Sequence, residues 1–212
     1  MRVVTLELGP FAAHCVLLVD DTDGAALVVD PGFEAEAILE EIDRERLRPQ
    51  AIVLTHAHLD HAAGVAEVKR AHPDARLLLH RDDLPLYENL PMQARMFGFA
   101  PPEPTPPDGF LADGDWLVLG SASLLVRHCP GHSPGHVVLV HDSATSPVAV
   151  VGDVLFAGSI GRTDLWGGSF EVLEHSIRTV LYALPRETRV VCGHGPDTTI
   201  GAEMAGNPFV PA

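Results

Sequence analysis

Residues 55–61, Thr-His-Ala-His-Leu-Asp-His, place three imidazoles and a carboxylate in one short stretch. The stretch follows the apolar run Ala51-Ile52-Val53-Leu54 and precedes the helix-patterned segment Ala62 to Ala71. That order predicts a strand, a polar turn and a helix. His56 and His58 stand two apart at the strand end, so in an extended backbone they project to the same side and can reach one ion. Asp60 and His61 come after the chain has begun to turn and suit a neighbouring ion. Alone, Asp60 before a helix reads as an N-cap. H-x-H-x-D-H as a whole has few structural reasons to exist and marks a metal site.

The remaining pattern supplies strands that end in polar groups. Val3 to Leu8, Cys15 to Asp20 and Ala25 to Asp30 read as β-runs, the last two as a hairpin. Glu34 to Arg46 carries Ala35, Ile38, Leu39 and Ile42 at helical spacing. Pro49 leads into the strand 51–54, helix 61–71 follows, and 76–80 is a further strand. Residues 82–97 read as helical around Tyr87, Leu90 and Met96, against the objection of Pro85 and Pro91. The proline-rich run 100–109 is an extended surface connection. Strands at 116–119, 123–128, 137–141 and 148–151, a helix at 169–183 and a strand at 189–192 complete the reading. The order suggests two similar β-then-α halves, with two sheets stacked face to face and helices outside. A single domain over 1–212 accommodates it.

Composition removes several classes of function. The net charge is −15, from 14 Lys and Arg against 29 Asp and Glu, so nucleic acid is repelled over most of the surface. No run of about 18 apolar residues offers a membrane span, and no signal peptide is visible after Arg2. Cys15, Cys129 and Cys192 lack CxxC spacing and fit a reducing cytoplasm better than a disulfide framework. Cys192 alone, two residues before a candidate ligand, stands where it could touch a metal site.

Three more strand ends carry metal-binding groups: His132 in Cys129-Pro-Gly-His-Ser-Pro-Gly-His136, Asp153 in Val150-Val-Gly-Asp-Val154, and His194 in Val191-Cys-Gly-His-Gly195. Each follows a glycine, where the backbone can turn sharply. Singly, each would pass for a loop histidine or a turn aspartate. Together the donors divide into two sites: His56, His58 and His132 for one ion, Asp60, His61 and His194 for the other, with Asp153 bridging. His136 is surplus. Imidazole and carboxylate without thiolate suit Zn²⁺, Fe or Mn. Two ions about 3.5 to 4 Å apart can share a hydroxide whose pKa falls toward about 7, which is the expected nucleophile.

These motifs, in this order, resemble the five motifs of the metallo-β-lactamase superfamily over essentially the whole chain. Gly158-Ser-Ile-Gly-Arg-Thr-Asp164, Gly193-His-Gly-Pro-Asp-Thr-Thr-Ile-Gly201 and Asn207-Pro-Phe209 are similar to a short bacterial glyoxalase II-like subgroup. The resemblance implies an α/β fold, a four-layer αββα sandwich, with two divalent ions, zinc foremost, at one edge. It implies hydrolysis of a small-molecule thioester such as S-D-lactoylglutathione. Full-length glyoxalase II enzymes carry a further helical domain with glutathione contacts, whereas this sequence stops at Ala212. Asp153 stands where zinc β-lactamases of the main subclass place a Cys, which speaks against an antibiotic hydrolase. The alternative within the fold is a mononuclear Fe(II) persulfide dioxygenase, against which the Asp60, His61 and His194 set weighs.

For a thioester, the hydroxide attacks the carbonyl carbon while an ion stabilises the oxyanion, and the thiolate leaves without a general acid. Asp60 and Asp153 are the catalytic carboxylates of this reading. Asp30 is a candidate acceptor for a ligand imidazole N–H, or else a strand-end turn residue. Arg162 is a candidate clamp for a substrate carboxylate, or else the ion-pair partner of Asp164 or Glu171. His136 and Ser133 shape the His132 loop. His14, His72, His80, His128, His141 and His175 read as ordinary surface or strand residues.

Overall fold

β1 (Arg2–Leu8), β2 (Ala13–Val19) and β3 (Ala25–Val29) pair antiparallel in chain order, as the alternation of apolar runs and turns requires. The computed structural model describes residues 1–212. α1 (Ala35–Arg44) buries Ala35, Ile38 and Ile42. It ends with Arg46 in the left-handed region (φ 54°), its N–H on the Asp43 carbonyl at 3.1 Å and the Leu47 N–H on the Ile42 carbonyl at 2.9 Å. That is a Schellman stop without the usual glycine.

β4 (Arg48–Val53) runs parallel to β3 and starts before the expected Ala51, with Pro49 inside it. The register shifts between Ala26 and Leu27, so Gln50 is the extra residue of a bulge beside the proline that cannot donate. The helix expected over 61–71 is two helices, α2 (Leu59–Ala62) and α3 (Val65–Ala71). Gly64 separates them, its N–H bonded to the Pro31 carbonyl at 3.0 Å, and a Cβ there would collide with the Gly32 carbonyl oxygen.

β5 (Arg76–His80) lies parallel to β4. Residues 82–97 also break: a 3₁₀ turn over Arg81–Asp83, then α4 (Leu84–Glu88) and α5 (Leu90–Met96), each with its proline in the first turn. A proline needs no intrahelical partner there, so it starts a helix where it would have broken a longer one. β6 (Gly109–Leu111), too short to be read in the sequence, adds parallel to β5 and completes a six-stranded sheet in the order β1 to β6. Ile52, Leu54, Leu77 and Leu79 are fully buried on it, each contributing roughly 1.5–3 kcal/mol by leaving water.

β7 (Trp116–Leu119), β8 (Ala122–His128), β9 (Val137–His141) and β10 (Val148–Gly152) follow, then the small hairpin of β11 (Leu155–Phe156) and β12 (Ser159–Ile160). α6 (Phe170–Ser176) is capped by Ser169 and runs into a π turn over Ile177–Leu181. β13 (Arg189–Cys192), β14 (Thr198–Thr199) and α7 (Ile200–Gly206) end the chain. The second sheet has the order β14-β13-β10-β9-β8-β7, with β13 parallel to β10. The chain divides into two units, residues 1–111 with 118–123, and residues 112–117 with 124–212. Val151, Leu173, Ile177 and Val190 belong to the core of the second. No helix is long and apolar enough to cross a membrane.

Candidate metal centre

In the first unit the donors sit just beyond β4. Thr55 and His56 are buried, His58 is half-buried, and Asp60 and His61 lie in α2. The imidazoles gather closely, with ring centroids of His56 at 4.8 Å from His58 and 4.3 Å from His61. Asp30 anchors the group from the end of β3. Its backbone is left-handed (φ 53°), a conformation costing roughly 1–2 kcal/mol, which turns the chain out of the sheet.

Asp30 Oδ1 accepts the Thr55 N–H at 2.7 Å, and Oδ2 accepts the Thr55 hydroxyl at 2.6 Å and His61 Nδ1 at 3.1 Å. Burial pushes its carboxyl above the ordinary value, and His61 and Thr55 oppose that rise. A carboxylate only accepts, so His61 Nδ1 carries the proton and Nε2 is the lone-pair nitrogen. The Thr55 hydroxyl, having donated to Asp30, accepts from His56 Nδ1 at 3.1 Å, which makes Nε2 the lone-pair nitrogen of His56 as well. Asp30 thereby fixes two tautomers. Asp30, His56 and His61 could between them approach one ion, but the Asp30 oxygens are already spent on Thr55 and His61, and the chemistry makes it a brace.

In the second unit Asp153, just past β10, is the common neighbour. Its Oδ2 lies 3.7 Å from His132 Nε2 and 3.5 Å from His194 Nε2. These separations exceed a hydrogen bond and match the roughly 3.4 Å edge between two ligands at about 2.1 Å from a tetrahedral ion. His61 Nε2 and Asp60 Oδ2, at 3.7 Å, stand in the same relation within the first unit. The donor set fits divalent metal on this ground.

His132 Nδ1 donates to the Arg162 carbonyl at 2.8 Å, again leaving Nε2 as the lone-pair nitrogen. His136 differs. Its Nε2 accepts the Asp153 backbone N–H at 3.1 Å, so the surplus histidine uses that lone pair to place Asp153. Gly161 and Gly193 close around Asp153: a Cβ at Gly193 would collide with Oδ1, and one at Gly161 with the Asp153 carbonyl oxygen.

The Arg162 guanidinium makes a bidentate pair with Asp164, both bonds 2.8 Å, exposed to solvent. Its backbone carbonyl meets the candidate ligand His132. All three cysteines are buried, and burial raises the thiols, Cys129 and Cys192 to about 12. Cys192 directs its Sγ at the Val190 carbonyl, at 3.9 Å. The glycine-rich 158–164 and Asn207-Pro-Phe motifs are tied together: Asn207 Nδ2 donates to the Ser159 carbonyl at 3.0 Å, and buried Glu203 accepts from Asn207 Nδ2 and Gly158 N–H, each at 2.9 Å.

Two residues absent from the sequence reading hold the loop that carries the candidate donors His56 to Asp60. Asp83 accepts the Ala57 N–H at 2.9 Å, and Gln93 bonds Leu59 and Ala57. Neither has a local motif. His14, read as an ordinary strand residue, is buried in β2.

A fold of this topology with these strand-end donors is that of a candidate metalloenzyme. Residues 8–194 match the family model of the metallo-beta-lactamase superfamily, and the chain belongs to that superfamily. Hydroxyacylglutathione hydrolase GloC of Haemophilus influenzae is 37% identical over 211 residues, 99% of this chain and 98% of that protein. Among solved structures, the BLEG-1 B3 metallo-beta-lactamase has a TM-score of 0.91 at 38% identity, covering 100% of both chains. TTHA1623 in a di-iron-bound form has a TM-score of 0.87 at 41% identity, covering 98% of this chain and 100% of that one. The α/β metallo-β-lactamase fold implied by the motifs is the fold of this protein.

Proposed function

We propose that this protein hydrolyses a small thioester of the S-D-lactoylglutathione type with two divalent ions. His56, His58 and His132 would hold one, Asp60, His61 and His194 the other, and Asp153 would serve both. The assignment joins donors from both units on the strength of their order in the sequence and of family membership. The observation that carries the two-ion reading is Asp153, whose single Oδ2 faces the Nε2 atoms of two histidines, His132 and His194, at ligand spacing. The identity with GloC supports the thioester, and the di-iron form of TTHA1623 supports iron beside zinc as an occupant.

Bound ions would supply a water acidified toward a pKa of about 7 and an electrophile for the carbonyl oxygen. The chain's own contribution is orientation. Asp30 keeps His61, and through Thr55 His56, in the tautomer that presents Nε2, and the Arg162 carbonyl does the same for His132. His136 fixes the backbone from which Asp153 projects. A thiolate departs without protonation, so no further acid is asked of the chain. Arg162 recognises a substrate carboxylate in this proposal only by exchanging Asp164 for it.

The test is metal analysis paired with a substrate panel. Purified protein should carry about two equivalents of zinc or iron and turn over S-D-lactoylglutathione, with loss on chelation and recovery on metal return. Metal well below one equivalent with no thioester turnover would sink the proposal. The kinship to BLEG-1 favours a second reading, β-lactam hydrolysis; turnover of a lactam with an inert thioester would select it. Oxygen uptake with glutathione persulfide would select a dioxygenase instead.

A further inference from the structure

His58 precedes the first residue of α2 with φ −74° and ψ 153°, and its side chain makes no capping hydrogen bond to that helix. A helix start usually takes Ser, Asp or Asn there, whose side chain satisfies a first-turn amide. Here Gln93 of α5 supplies the acceptor from outside: its Oε1 takes the Leu59 N–H at 3.0 Å. Its Nε2 donates to the carbonyls of Ala57 at 3.2 Å and Leu86 at 3.0 Å. Asp83, fully buried, accepts the Ala57 N–H at 2.9 Å. The peptide group before His58 is therefore held at its carbonyl and the one after it at its N–H. His58 is relieved of capping, and its backbone torsions are set from both sides.

We infer that Asp83 and Gln93 are positioning residues that pre-set the stretch His56 to Asp60 for metal, acting through backbone atoms from the turn after β5 and from α5. The inference rests on the metal reading above. Because the loop lies outside any sheet ladder, these side-chain bonds replace the hydrogen bonds that regular structure would have given Ala57 and Leu59. An unbraced loop would have to be ordered at the moment of binding, which weakens affinity.

Zinc competition against a chromophoric chelator and amide hydrogen exchange at Ala57 and Leu59 test it, alongside thermal unfolding of the metal-free proteins. Gln93→Leu removes all three bonds at similar size. It should weaken zinc about tenfold to a hundredfold, the usual effect of losing an outer support, and speed exchange at Leu59. Asp83→Leu removes the acceptor of the Ala57 N–H; it should also weaken zinc and speed exchange at Ala57, and a folded Asp83→Leu protein with parental zinc affinity overturns the role given to Asp83. If Gln93→Leu does not fold, Gln93→Glu decides by the same measure, since it sets a carboxylate against the Ala57 carbonyl. A folded Gln93 variant with parental zinc affinity overturns the inference, even if its metal-free form melts lower, because that is what a merely structural residue would do. A parent that takes up no zinc overturns the metal reading itself.

Discussion

The donors of the two units are held by different mixtures of side-chain and backbone contacts. In the first unit the ligand loop leans on side chains, Asp30 and Thr55 on one side and Asp83 and Gln93 on the other. In the second, one side chain, His136, accepts the Asp153 N–H, and the other supports are backbone: the Arg162 carbonyl under His132 and bare glycines against Asp153. The difference teaches where each half is vulnerable. A contiguous donor run outside any ladder must borrow partners and is weakened by deleting atoms; single candidate donors beyond strand ends inherit their position from the sheet and are harmed by adding them.

The largest effect should break the comparison altogether. Asp153→Ala removes the carboxylate that faces both His132 and His194. On the two-ion proposal, the loss should amount to several kcal/mol of transition-state stabilisation, about a thousandfold in turnover. Metal content and thioester turnover should fall together, and unaltered hydrolysis would contradict the shared role of Asp153.

Gly193→Ala tests sensitivity to addition. The new methyl group would collide with Asp153 Oδ1 and press on the Gly152 carbonyl, so either the carboxylate or β13 must move. A displacement of about 1 Å in a catalytic constellation costs on the order of a hundredfold. The expected result is a fall of that size in turnover with far-ultraviolet circular dichroism unchanged. Activity near the parent's would show that the second unit yields as easily as the first.

Asp30→Ala is the matching deletion. It leaves the buried Thr55 N–H and hydroxyl without their acceptor, at about 1–3 kcal/mol each, and lets His61 take either tautomer. Metal affinity should drop about tenfold or more, read by chelator competition, with a lower unfolding midpoint of the metal-free protein. A variant that loses stability but keeps affinity would reduce Asp30 to a structural residue.

What could be read beforehand follows the same division. The candidate run at 56–61 stands out because its donors are neighbours in sequence, and His132, Asp153 and His194 because each follows an apolar strand and a glycine. Asp83 and Gln93 do not, since their partners lie 26 and 34 residues away and no local pattern links them. The break at Gly64 was hidden for a related reason: the helical spacing is intact, and the Gly64 N–H is turned to the distant Pro31 carbonyl. α7 escaped because Gly201 and Gly206 depress its propensity, while Thr199 and the buried Glu203 network secure it. β6, β11, β12 and β14 are two or three residues long, too short for any alternation to show.

The smallest expected effect lies in the first unit at a place that holds no ligand, and it checks that side-chain bracing there can be weakened without touching metal. Asp20 accepts the N–H of Thr22 and of Ser121, each at 2.8 Å. Those backbone bonds, Thr22 first, lower its carboxyl from 3.8 to about 2. A carboxyl depressed on folding adds stability that is complete above its unfolded value, near pH 4, and is lost as the pH falls toward about 2. Asp20→Asn keeps an acceptor but no charge. In the metal-free protein, its deficit in urea midpoint against the parent should therefore be constant above about pH 5 and shrink as the pH is lowered through that window. Zinc affinity at neutral pH should match the parent's. A deficit that does not narrow in acid would mean that the Asp20 charge is not what secures the Ser121 turn, and a weakened zinc affinity would mean that bracing in this unit cannot be divided between fold and site.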